Sequence, residues 1–164
     1  MDETNLSGDS ADTGVAITPR LVDALYTEAM VLADEARTYF DAAGRADRDA
    51  LPPQARVGFA CESLKVTTRI MHVVAWLLTQ RAIDNGELGR PDDPAIERRL
   101  GNANPTDEEI VAQLPEEAQR LIRQSADLYD RVDRLDRGQH ASEPVESPAR
   151  ALMGRLERDL FGSA

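Results

Sequence analysis

With 164 residues and a net charge of −11, the chain is sized for one domain with tails and ill suited to nucleic acid or anionic lipid, whose phosphates call for clustered cations. A single cysteine, Cys61, excludes an intramolecular disulfide. The first residues carry no secretory-signal pattern, so a cytoplasmic protein is expected, in keeping with that cysteine content.

Residues 1–17 are rich in Ser, Thr, Gly and Asp and hold no basic side chain, the composition of a disordered acidic leader. A first helix then begins cleanly, with Thr18 as an N-cap and Pro19 in the first helical position. Leu21, Leu25, Ala29, Leu32, Ala36 and Tyr39 share one face and predict a core-facing helix that ends at Gly44. After a charged turn, Pro52 and Pro53 open a long helix that runs to about Asp84 before Asn85-Gly86 stops it.

Two apolar stripes run along the long helix at helical spacing: Val57, Cys61, Leu64, Thr68, Met71, Val74, Leu78 and Ala82, and beside them Phe59, Ser63, Val66, Ile70, Val73 and Leu77. A helix so apolar needs cover on several sides. Two neighbouring helices would struggle to cover every apolar face, so the pattern predicts a homodimer, the alternative being that the first and third helices, with the connection, wrap it completely. Cys61 is expected as a small core residue. The run Ile70–Leu78 falls well short of the roughly 18–20 apolar residues that cross a bilayer, and reads as a buried core helix with no membrane role. One narrow face is polar: Glu62, Lys65, Arg69, His72 and Gln80, with the only tryptophan, Trp76, set into it. Arg and Trp dominate interface energetics, which makes this face the candidate partner-binding site; the structural alternative is pairing with an acidic neighbouring helix.

Glu87 to Pro105 reads as a long return connection, with at best one short turn near Ala95 to Leu100. Thr106 to Glu109 matches a capping box that starts a short helix ending near Leu114, and Pro115 restarts the chain. Leu114, Leu121, Leu128 and Leu135 then recur every seven residues, interleaved with Ala118, Ser125 and Val132, a seam suited to nearly antiparallel packing that ends at Gly138. Asp127, Asp130, Asp133 and Asp136 alternate with Arg123, Arg131, Arg134 and Arg137, as on a solvated, ion-paired face. The tail from Gln139 holds a Pro/Ser/Glu linker and an amphipathic segment, Leu152, Leu156 and Leu160, able to dock in a partner's groove or fold back on the bundle. The expected fold is all-α: an antiparallel three-helix bundle over residues 18–138 with a long central helix, plus a short C-terminal helix on a flexible tail.

Catalytic and metal chemistry find little in this inventory. The two histidines, His72 and His140, form no Glu-x-x-His pair, and Cys61 and His72 lie three helical turns apart. Phosphate loops, nucleophile elbows and dinucleotide fingerprints are missing from the sequence. No enzyme, cofactor or metal is therefore expected. The one alternative of another class is a histidine-phosphotransfer intermediate using His72. Domains of that kind typically carry lysine and glycine three and four residues after the histidine, where this chain has Ala75 and the bulky Trp76.

The run ESLKVTTRIMHVVAWLLTQRAIDNGE, Glu62 to Glu87, together with LIRQSADLYDRVDRLD, Leu121 to Asp136, resembles the regulator of CtrA degradation family, RcdA, of alphaproteobacteria. The likeness spans about Ile17 to Asp136, and its string SLxxTTRxMxxxAWLLxQRA is specific. The resemblance implies a dimeric, non-catalytic three-helix adaptor in cell-cycle-regulated proteolysis. Such an adaptor works with the ClpX unfoldase of the ClpXP protease once CpdR has primed it, and tethers cargo such as CtrA or PopA-like adaptors. It further implies a cytoplasmic protein that visits the cell pole, and a mobile C-terminal tail.

Overall fold

A computed structural model of the chain describes residues 17–88 and 99–141. The expected acidic leader and the tail leucines Leu152, Leu156 and Leu160 lie outside the described residues. Among the described residues every regular element is helical: α1 (Pro19–Thr38), a π-helical turn (Tyr39–Ala43), α2 (Arg45–Asp49), α3 (Pro53–Asp84), α4 (Glu108–Val111) and α5 (Glu116–Ala141). Ile17–Asp136 form one compact unit. Only the last residues of α5, 137–141, are described from the second.

The start of α1 follows its sequence signals. Thr18 Oγ1 accepts the Leu21 N–H at 3.2 Å, and Pro19 occupies the first turn. Leu25, Ala29, Leu32, Ala36 and Tyr39 are buried, with Leu21 half-buried against the same core. The helix leaves α geometry at Tyr39, where the Gly44 N–H reaches back five residues to the Tyr39 carbonyl at 2.7 Å. Gly44 is required there, because a Cβ would sit 2.9 Å from both that carbonyl oxygen and the Tyr39 ring. The charged turn that follows winds into the short α2.

α3 ends at Asp84, and Gly86 just beyond it takes φ +70, the left-handed conformation that favours glycine at a helix exit. Cross-helix bonds fix the directions. Arg81 pairs with Asp23, so α1 and α3 run antiparallel, an orientation their shared groove repeats by setting Phe40 near Ala60. Glu35 meets Arg120 and Glu28 meets Arg131, so α1 is also antiparallel to α5. In contrast, Arg69 bonds Ser125 while Trp76 bonds Asp136, which makes α3 and α5 parallel. With α3 and α5 parallel, the chain must return between them to the end of the bundle where α3 begins.

Residues 99–107 close that return as a strap across α3 and α5. Leu100 is buried in the core, and Tyr129 donates to the Gly101 carbonyl at 2.7 Å. The start of α4 departs from the capping-box reading. Asp107 is the N-cap, its Oδ1 accepting from the Glu109 and Ile110 N–H groups, while Thr106 is turned towards Arg69; the helix stops at Val111. α4 packs on α3 at Gly58, where a Cβ would come within 2.5 Å of Ile110 Cγ2. The heptad seam is buried at Leu114, just before α5, and along the helix at Ala118, Leu121, Ser125, Leu128 and Val132, and α5 continues through Gly138 to Ala141. A glycine with open space around it does not stop a helix already propagating.

Candidate functional site

The polar face of α3 points inward. Glu62, Arg69, Trp76 and Gln80 are buried, with Lys65 and His72 half-buried. This corrects the expectation of an exposed partner-binding stripe. The physical reason is that Glu62 Oε1, Lys65, Arg69 and Trp76 each find a counterpart within the chain, which removes most of the cost of burying them.

Arg69, 3% exposed, donates to Ser125 Oγ (3.3 Å), the Asn104 carbonyl (3.0 Å) and Thr106 Oγ1 (2.7 Å), joining α3, α5 and the strap. All three acceptors are neutral. Burial pulls the guanidinium pKa below its usual value, against the opposing charges of Glu62 and Asp130. Lys65 Nζ bonds Glu62 Oε1 at 2.6 Å, relieving the like-charge contact with Arg69, and the same oxygen accepts the Asp107 N–H at 3.3 Å. Trp76 Nε1 donates to Asp136 Oδ1 at 2.9 Å, while Arg99 holds the other oxygen, Oδ2, at 2.9 Å. Asp136 is thus 1% exposed, unlike the solvated carboxylate its charge pattern suggested. Asp127 does keep an ion pair with Arg131, at 3.0 Å.

The His72 ring lies under the strap, within 2.9 Å of where a Gly101 Cβ would stand, and its buried Nδ1 has no hydrogen-bond partner. An imidazole roofed in this way lends the phosphotransfer alternative no support. Glu62 Oε2 is the other buried side-chain atom of this face with no partner.

The opposite face of α3 is apolar and faces outward. Val57, Leu64, Met71 and Leu78 are 64%, 67%, 64% and 46% exposed, and Cys61 is exposed between the first two. The first apolar stripe, with Cys61 as a core residue, was expected inside. The bundle puts α1 and α5 against the other sides of α3, so Val57, Cys61, Leu64, Met71 and Leu78 stay uncovered among the described residues, while Thr68, Val74 and Ala82 of the same stripe are half-buried and Val74 packs against the core. The second stripe is the core: Phe59, Val66, Ile70, Val73 and Leu77 are buried. A groove of about 640 Å³ between α1 and α3 borders the exposed stripe, lined by Ala33, Arg37, Phe40, Leu64, Met71 and neighbours. On the far side, α1 and α5 bound a second groove, about 540 Å³, with Arg120, Glu35, Glu28 and Val31 at its walls. Arg120 there bonds Glu117 at 2.6 Å and Glu35 at 3.1 Å, which raises its own pKa and lowers that of Glu117.

Thr106, Asn104, Ser125 and Asp136 were absent from the sequence-based site because their partners lie 35 to 60 residues away in the chain, as the separations of their hydrogen bonds record. The outward stripe did carry a legible signal, its unbroken heptad spacing, but spacing does not say which of two apolar stripes is inside. Among the described residues no group of three or more His, Cys, Asp or Glu could hold a metal ion, and no helix is long and apolar enough to cross a membrane.

The sequence matches, over residues 14–160, the family described as "Protein of unknown function (DUF1465)". Among solved structures it is similar to RcdA from Caulobacter crescentus CB15, with 38% identity and a TM-score of 0.60 over 78% of this chain and 95% of that one. No curated protein matches the sequence.

Proposed function

We propose, from the premise that the chain belongs to the RcdA family, DUF1465, that it is a regulatory, non-catalytic adaptor in controlled proteolysis. In this reading it tethers cargo or further adaptors to the CpdR-primed ClpXP protease and so sets the lifetime of cell-cycle regulators such as CtrA. It acts in the cytoplasm and at times at the cell pole, as a homodimer. The observation that carries the reading is the extent of the likeness: 95% of the Caulobacter crescentus RcdA chain is covered at 38% identity, so the relation involves the body of that protein and not a borrowed motif.

An adaptor needs surfaces, and its physical lever is effective concentration. Holding cargo beside the unfoldase makes the encounter intramolecular, and linked modules gain about 100- to 10,000-fold in avidity. The exposed apolar stripe of α3 is the kind of surface such a role uses, since contiguous exposed apolar patches mark interaction sites. PopA-like adaptors and ClpX with CpdR are the proposed partners. The tail segment Leu152, Leu156 and Leu160 remains a proposed docking motif.

The test is reconstitution. Purified chain added to ClpXP, CpdR and a panel of cargoes including CtrA is expected to speed degradation of at least one cargo while turning over nothing itself. Unchanged degradation rates across the panel would overturn the adaptor reading.

A further inference from the structure

Among the described residues, three charged side chains are buried, and two of them are ion-paired: Glu62 with Lys65 and Asp136 with Arg99. Arg69 is the third, and every acceptor it bonds is neutral. Those bonds use three of the five N–H groups that a guanidinium carries. The Nε–H and one Nη1–H are left over, on a residue only 3% exposed. A buried cation with spare donors is costly unless something meets it. Arg69 lines a pocket of about 330 Å³ bounded by the strap, the start of α4 and α5.

Three more charged residues line the same pocket: Arg123 and Asp130 on α5, and Glu108 at the start of α4. All three are exposed, and among the described residues none of their side chains makes a hydrogen bond or an ion pair. Elsewhere on α5, Arg120 pairs with Glu35 and Glu117, and Arg131 pairs with Glu28 and Asp127. Around this pocket two cations and two carboxylates stand apart, with open space between the signs.

We propose that the pocket binds a free α-amino acid with a small apolar side chain, its carboxylate held by Arg69 and Arg123 and its ammonium by Asp130 and Glu108. A zwitterion answers both signs at once. A lone anion would lie beside two carboxylates, and a lone cation beside two arginines. Ala103, Pro105 and Ala126 give a short side chain an apolar place. The volume agrees, since about 330 Å³ stands at the small end of the roughly 300–1,000 Å³ of ligand pockets. Occupancy ties Glu108 to α5 and so steadies the strap that leads into α4. The protein thereby gains a small-molecule input separate from its protein partners.

The inference goes beyond the adaptor reading and does not depend on it. Isothermal titration calorimetry of the full chain with L-alanine, L-valine and L-leucine is expected to show saturable binding of at least one at millimolar concentration or below. Propionate and isopropylamine each keep one of the two charges. Both should bind about tenfold or more weakly, the loss that follows from one missing charge-assisted hydrogen bond. Arg123→Gln and Asp130→Asn should each weaken the amino acid by a similar factor while circular dichroism stays unchanged, because both positions are exposed. Amide hydrogen exchange gives the second readout, and exchange across residues 101–107 should slow when the amino acid is present. No binding by any of the three amino acids, propionate binding as tightly as they do, or affinity unchanged in both variants would each overturn the proposal. Binding that leaves strap exchange unaltered would remove the ligand from this pocket. Since no step involves the protease, failure of the adaptor reading and failure of this site are read separately.

Discussion

The inner and outer faces of α3 invert the usual relation between polarity and burial. On the inner face lie Glu62, Arg69, Trp76 and Gln80, all buried; on the outer face lie Val57, Leu64, Met71 and Leu78, all exposed. What separates them is the supply of partners. Ser125, Asp136, Thr106 and the strap carbonyl of Asn104 meet the inner face with acceptors at hydrogen-bond distance, whereas nothing described in the chain lies over the outer one. A buried polar group is tolerated when its hydrogen bonds are made, and such a network helps specify one packing. The apolar outer face gains only when something else covers it.

The sharpest way to break this contrast is Trp76→Ala. Removing an indole that is 3% exposed and leaving Asp136 without that donor is expected to cost about 3–5 kcal/mol, read by urea denaturation. A loss under about 1 kcal/mol would mean that the indole is a surface group after all. The strap gives the next effect. Gly101→Ala drives a methyl to within 2.9 Å of the His72 ring and is expected to cost about 1–3 kcal/mol. Because one contact is responsible, His72→Ala should relieve much of that loss, which a double-mutant cycle measures as non-additivity. Additive losses would remove the strap–His72 contact from the account.

The secondary structure was largely legible because it depends on neighbours in sequence. Thr18 and Pro19 start α1, Asn85-Gly86 stop α3, and Pro115 precedes α5, each through local backbone chemistry. The sidedness of α3 was not legible. A stripe of Val57, Leu64, Met71 and Leu78 is as apolar as one of Phe59, Val66, Ile70, Val73 and Leu77, and only tertiary placement chooses between them. Asp136 misled for a related reason: its repeat with neighbouring arginines describes an exposed helix, and the override comes from Trp76, 60 residues away. The parallel course of α3 and α5 likewise depends on a return connection whose length was visible but whose path was not.

Tyr39 extends the inner-face rule to the end of the bundle. Its hydroxyl donates to Asp47 at 2.9 Å. Burial first, then that hydrogen bond and the Asp47 charge, hold the phenol pKa above its usual value of 10. Since the folded-state pKa is the higher one, the stabilisation is fully present below pH 10 and is lost as pH rises through the folded value. Denaturation at increasing alkaline pH should therefore show the unaltered protein losing stability faster than Tyr39→Phe. Equal slopes would mean that the phenol titrates as it does in the unfolded chain.

The smallest effect is the most discriminating for the outer face. Leu64 is 67% exposed in the single chain, so Leu64→Ala should change unfolding by less than about 0.5 kcal/mol at dilutions where copies are separate. If a second copy covers the stripe, as in the proposed homodimer, the same substitution loses intermolecular packing as concentration rises. Mass action adds pairing energy to apparent stability, so the difference between Leu64→Ala and the parent protein should grow with protein concentration. No core substitution behaves in that way, because the contacts of Trp76 are intramolecular at every dilution. A Leu64→Ala penalty that is large and independent of concentration would place Leu64 in the core and return the outer stripe to the inside of the bundle.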